Sequence, residues 1–260
     1  MDTQQPPRAA LIVNPVTLDA AKNLKTILGM LDGAAQQGAK LALLGEMAAT
    51  GMLNNDDPVH DLVLGQPIPG PVTDTLCTAA ARLGIWIGCG LLERDGDHLY
   101  DTAVLISPAG RVHGKYRRMQ PHWHSAQADP GVYRQGERLL KFEADFGLAL
   151  FLICGDLYDE DLLAQARDLR PDWVLHPHAR SFDDGSRDPR RWEREDLPDY
   201  ERLASQVGAP VLAVGYLWAD EYLEQADSYG GAMAFDREGR LVKNLPIGQA
   251  GVLMVDIKRF

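Results

Sequence analysis

Short apolar runs of strand length alternate with helical spacing through most of this chain, which restricts it to folds in which helices cover sheets. Ala9 to Val13 reads as a first strand. Residues 18–37 follow as a helix, with Ala21, Leu24, Ile27, Leu28 and Leu31 along one face and Gly38 as the stop. Leu41 to Leu44 is a second strand, ending at Gly45-Glu46. Beyond the polar loop Asn54-Asn55-Asp56-Asp57-Pro58, a helix is predicted over 71–83, opened by Pro71 and closed by Gly84. Ile85 to Leu92 and Tyr100 to Ile106 are strands joined by Arg94-Asp95-Gly96-Asp97, and Val112 leads into another towards Lys115. Strands at about 138–143 and 147–153 deliver the chain to Cys154, and Leu162, Leu163, Ala166 and Leu169 then recur at helical spacing.

The remainder reads as the strand Trp173-Val174-Leu175, a polar loop from His176 to about Arg191, and a helix at about 192–207. The strand Val211 to Tyr216 follows, with further strands near 230–235, 240–243 and 250–257. No repeat and no break in composition divides the chain. Many strands and few helices predict one α/β domain over residues 1–260, two sheets covered on the outside by helices.

Composition narrows the function. A formal net charge of −11 argues against nucleic acid or an anionic membrane as partner. Cys77, Cys89 and Cys154 form an odd set without a CxxC pair, so neither a disulfide framework nor a cysteine zinc site is expected. Met1 to Pro7 has no basic leader region, and no apolar run reaches membrane-spanning length. A cytoplasmic protein is the expectation.

The stretch Ala149-Leu150-Phe151-Leu152-Ile153-Cys154-Gly155-Asp156 places a cysteine on a strand-to-helix corner, near a helix amino terminus that favours a thiolate. A buried structural cysteine fits that stretch equally well. A nucleophile needs a base and a group to hold the oxyanion it creates. Glu46 and Lys115, each at the end of a strand, can supply them if those strands run parallel beside the one leading to Cys154. Taken singly, a solvated glutamate and an exposed basic patch are the blander readings.

Read together, these segments resemble the nitrilase, or carbon–nitrogen hydrolase, superfamily. Leu44-Gly45-Glu46-Met47-Ala48-Ala49-Thr50-Gly51 is similar to its glutamate segment. Gly114-Lys115-Tyr116-Arg117-Arg118 is similar to its Gly-Lys-Tyr-Arg-Lys-like run, and Ile153-Cys154-Gly155-Asp156 to its Ile-Cys-x-Asp. Gly70-Pro71-Val72-Thr73, Leu99-Tyr100-Asp101-Thr102-Ala103 and the 231–239 hairpin agree in order. The resemblance implies a four-layer αββα sandwich with catalytic Glu46, Lys115 and Cys154, and an oxyanion hole of Lys115 and the Gly155 N–H. It implies hydrolysis of a small linear amide or carbamoyl compound through a thioester, with no cofactor and no metal. A homodimer or higher homo-oligomer is the implied assembly.

The sequence also departs from the pattern. Asp129 stands where a second glutamate is common, as a possible fourth acidic residue of shorter reach. Gly45 replaces the usual proline, and Gly155 replaces a common aromatic, which should open space beside the nucleophile. Cys154-Gly155-Asp156 differs from the Cys-Trp-Glu of the nitrilase branch and favours amides over nitriles. The alternatives are nitrile hydrolysis at the same site, or a catalytically silent binding or assembly subunit.

Tyr158, His176 and His178 are the substrate-binding candidates, expected at the pocket or its rim. His122-Trp123-His124 and His176-Pro177-His178 lack a third ligand at a recognisable metal spacing. No Gly-x-Ser-x-Gly elbow occurs.

Overall fold

The computed structural model describes residues 7–221, 223–224 and 227–257; most of the leaderless start lies outside the described residues. The first half of the chain comprises β1 (Arg8–Val13), β2 (Pro15–Val16), α1 (Ala20–Gln36), β3 (Ala39–Leu44), α2 (Pro58–Leu64), α3 (Pro71–Leu83), β4 (Trp86–Asp95), β5 (His98–Ser107) and β6 (Arg111–Arg117). Then come β7 (Lys141–Ala144), β8 (Gly147–Phe151), a 3-10 turn (Cys154–Tyr158), α4 (Glu160–Asp168), β9 (Trp173–His178), α5 (Pro189–Glu195) and α6 (Leu197–Val207). The chain closes with β10 (Val211–Gly215), β11 (Leu217–Trp218), β12 (Ala232–Phe235), β13 (Leu241–Leu245) and β14 (Gly251–Asp256).

Strand parity builds the layers. One six-stranded sheet runs β14-β1-β3-β4-β5-β6 and the other β13-β12-β10-β9-β8-β7. Ala9, Leu11 and Val13 of β1, Leu41 and Leu43 of β3, Ala149 and Phe151 of β8, and Leu212 and Val214 of β10 face one another in a shared core. Their alternates turn outward: Ala10, Ile12, Ala42 and Leu44 pack with Ile27 and Leu31 of α1 and Leu76 of α3. Leu150, Val211 and Ala213 pack with Leu163 of α4 and Leu203 of α6. The result is the expected αββα order, each sheet burying both faces.

Within each sheet the central strands run parallel, β1 with β3 and β3 with β4, and likewise β8 with β9 and β9 with β10. The strands of Glu46 and Cys154 are therefore not neighbours in one sheet. They belong to facing sheets, and the site forms where the two sheets end together. The loop read between His176 and Arg191 is partly regular: β9 extends to His178, and α5 starts at Pro189, capped by Asp188. No helix among the described residues is long and apolar enough to cross a membrane.

Candidate active site

Glu46 leaves β3 in a turn stitched to β4. Gly90 N donates to Gly45 O at 3.1 Å and Ala48 N to Gly90 O at 3.2 Å, while Asn14 Nδ2 holds Ala48 O at 2.9 Å. A side chain at residue 90 would meet the Glu46 Cα at 2.6 Å, so the close approach requires a glycine. Gly45, where a proline was the familiar residue, lies so near β10 that a Cβ would sit 2.8 Å from Tyr216 N. The carboxyl that results is completely buried.

The nucleophile candidate arrives from the other sheet. After β8, Leu152 and Ile153 remain buried, and Cys154 turns the chain with φ 42°, a left-handed conformation that costs a non-glycine residue about 1–3 kcal/mol. The corner is a five-residue 3-10 turn rather than the start of a long helix. The next helix, α4, begins only at Glu160, capped by Asp159, so its dipole is not delivered to the thiol as expected from the sequence. Cys154 is half-buried and free, and its thiol lies within hydrogen-bonding reach of the Glu46 carboxyl.

The cation at this meeting point is Arg118, not Lys115. Arg118 is almost fully enclosed, and its Nη1 donates to Glu46 Oε1 at 2.9 Å and to Asp101 Oδ2 at 3.4 Å. Lys115 is bound to Glu93, as is Arg117, whose Nε and Nη2 reach that carboxylate at 2.9 and 2.7 Å. Strand parity is the reason. Residues 115 and 117 share one face of β6, whereas Arg118 lies past the strand's end, where its N–H donates to Asp101 O at 2.8 Å. Lys115 thereby completes a surface ion network instead of the site. The last residue of the Gly-Lys-Tyr-Arg-Lys pattern is the one that reaches Glu46, and here it is arginine.

The fourth acidic residue is also not the expected one. Asp129 is exposed, its Oδ1 accepting from Gly131 N at 2.7 Å in a local turn. Asp101 of β5 instead lies fully buried against Glu46 and Arg118. Burial pushes the Glu46 carboxyl up to about 8, with the nearby thiol adding to the rise and Arg118 opposing it. Asp101 is likewise raised, by burial and then by the Glu46 charge. Two carboxyls in hydrogen-bond contact beside one guanidinium hold a proton between them near neutral pH.

Asp156, two residues after the cysteine, joins the halves of the site. Its Oδ1 accepts from Met119 N at 3.1 Å and Gln120 N at 2.9 Å, and its Oδ2 from Ile153 N at 2.9 Å. Burial outweighs these bonds and lifts its carboxyl to about 6.

His176 and His178 do not line an open rim; both are fully buried, their rings stacked 5.6 Å apart. His176 Nδ1 faces Leu152 O at 2.7 Å, and burial depresses its imidazole to about 4, so it is neutral and donates there. Tyr158 is half-buried with the Arg180 guanidinium 4.7 Å over its ring, and neither its hydroxyl nor Arg180 Nε has a partner. Arg180, absent from the sequence expectations, is thus the further side chain by which Tyr158 faces the site. No group of three or more His, Cys, Asp or Glu among the described residues could hold a metal.

Two facing sheets between helical layers, with a carboxyl, a cation and a thiol meeting where the sheets end, define an α/β protein built around one cysteine. The chain belongs to the carbon-nitrogen hydrolase family, whose pattern matches residues 4–259. Among its relatives, a nitrilase of Pyrococcus abyssi is 29% identical over 167 residues, 64% of this chain and 62% of that protein. A chloroplastic omega-amidase of Arabidopsis thaliana is 32% identical over 189 residues, covering 68% of this chain and 49% of its own. The match thus spans less than two thirds of these relatives' lengths. In structure, the chain is similar to an amidase of Nesterenkonia AN1 from the nitrilase superfamily, with TM-score 0.79 and 20% identity over 97% of this chain and 90% of that one. Nit3 of Saccharomyces cerevisiae gives TM-score 0.78 at 16% identity, over 98% of this chain and 93% of that one.

Proposed function

We propose that this chain hydrolyses the C–N bond of a small amide through Cys154, with Glu46 as general base and Arg118 as the cation that holds the oxyanion. The observation that carries the proposal is the contact of a half-buried thiol with a buried carboxyl that Arg118 clamps from its other side. A carboxyl whose pKa is about 8 is matched to a thiol, whose ordinary value is about 8.5, so the proton passes between them at little cost.

In the reaction, Glu46 takes the thiol proton as sulfur attacks the carbonyl carbon. The oxyanion is held by Arg118 with the Gly155 N–H, and the proton returns from Glu46 to the departing nitrogen, releasing ammonia or an amine. Water, deprotonated by Glu46, then attacks the thioester, and collapse frees the acid and the thiol. Tyr158 and Arg180, with unpartnered donors, are the side chains proposed to meet the acyl part. The structure of the Nesterenkonia amidase with acrylamide added to its active-site cysteine supports a reactive thiol in this family. Ammonia release from a panel of short linear amides tests the proposal. The wild type should turn over at least one of them and Cys154→Ala none, and equal rates in both would refute it.

A second reading follows from Arg118 itself. A guanidinium bound to Glu46 can hold that carboxylate out of proton transfer, leaving a silent binding subunit. Rapid alkylation of Cys154 by iodoacetamide near neutral pH, together with turnover, decides against it; an inert thiol with no turnover decides for it.

A further inference from the structure

Two departures from the family pattern, Arg118 and Gly155, meet in one volume. A Cβ on residue 155 would collide with Arg118 Nη2, and would lie 3.2 Å from Cζ and 3.5 Å from Gln120 Oε1. The backbone gives no reason for a glycine there, because Gly155 is not among the positive-φ glycines. The requirement comes from the guanidinium alone.

That guanidinium has nowhere to retreat. Its Nη1 is fixed by Glu46 at 2.9 Å and Asp101 at 3.4 Å, and the side chain is only 2% exposed. Nη2 has no bonded acceptor among the described residues and stands against the residue that follows the nucleophile. A lysine could place its single nitrogen on Glu46 without a second branch, leaving the space at residue 155 free for a side chain. An arginine cannot. The space expected beside the nucleophile from the glycine is filled by the second arm of the fork.

We propose that Gly155 is a positioning residue whose missing side chain seats the Arg118 guanidinium beside Cys154, so that residues 118 and 155 form a matched pair. The pairing leaves Nη2 as an unused donor next to the Gly155 backbone, where an oxyanion needs one. Unlike an ammonium, this donor cannot lose its proton over the working range of pH. The inference takes its catalytic meaning from the proposed hydrolase, but the pairing itself is readable without any substrate.

The experiment is a double-mutant cycle of Gly155→Ala, Arg118→Lys and both together, read by the iodoacetamide alkylation rate of Cys154 between pH 5.5 and 9.5. Gly155→Ala should change that rate by about tenfold or more and shift its pH profile, because the displaced guanidinium no longer faces Glu46 and the thiol. In the Arg118→Lys background the same substitution should change the rate by less than about twofold. Equal effects of Gly155→Ala in both backgrounds, or none in either, overturn the pairing. If Gly155→Ala alone does not fold, the comparison of Arg118→Ala with Arg118→Ala/Gly155→Ala serves. The proposed pairing requires the added methyl to be tolerated there, and a second failure to fold also overturns it. Coupling in the cycle without amide turnover would leave the pairing standing and remove the hydrolase reading; turnover with additive effects would do the reverse.

Discussion

The Tyr116 hydroxyl, from the last strand of one sheet, donates at 2.8 Å to Asp156 Oδ2, in the turn that closes β8 of the other. Both groups are fully buried. This bond, with the N–H groups of Met119 and Gln120 on Oδ1, sets the separation between the segment carrying Arg118 and the turn carrying Cys154.

Removing that tie should loosen the site as well as the fold. Tyr116→Phe loses one charge-assisted bond and should cost about 1.5–3 kcal/mol in urea denaturation. Asp156→Ala orphans several buried donors at once and should cost about 3–5 kcal/mol. Because the tie positions Arg118, Tyr116→Phe should also lower kcat more than it raises KM.

Lys115 and Arg118 should separate cleanly in function. Lys115→Ala leaves Glu93 with Arg117 and Thr102, and turnover should stay within a few-fold of wild type. Arg118→Ala strips the oxyanion cation and should lower kcat by at least about 100-fold. Asp129→Ala, in an exposed turn, should leave kcat unchanged. Steady-state rates of the three variants on one amide provide the check.

Glu46 fixes the pH dependence. Its pKa rises from 4.5 to about 8 on folding, so the native state keeps a proton that the unfolded chain has released. Stability contributed by this group is therefore fully present below pH 4.5 and is lost as pH rises through about 8. Unfolding free energy of the wild type minus that of Glu46→Gln should fall across this window. Alkylation of Cys154 should rise with a midpoint near pH 8 in the wild type and lose that step in Glu46→Gln.

Much of this was legible in the residues, and the misses share one cause. Buried parallel strands such as Ala9–Val13 and Leu41–Leu44 are continuous apolar runs, so the layers could be read directly. Glu46 and Cys154 were legible because each follows such a run at once. Arg118 was not, although it stands in the quoted basic stretch: which of residues 115, 117 and 118 turns inward depends on where β6 stops. A strand reading carried to its end, with Lys115 and Arg117 on one face, was the available signal. Asp101 required knowing that β5 lies between β4 and β6, a pairing that only the tertiary fold supplies. The helices α2 and α5 hid in stretches read as polar loop, being only 7 residues each and capped by Asp57 and Asp188.

The most direct measurement is intact-protein mass spectrometry of the enzyme quenched within milliseconds of mixing with a hydrolysed amide. A mass increase equal to the acyl group, located on the peptide containing Cys154 and absent in Cys154→Ala, is the predicted result. Turnover of the amide by Cys154→Ala at the wild-type rate, with no adduct on that peptide, would contradict it.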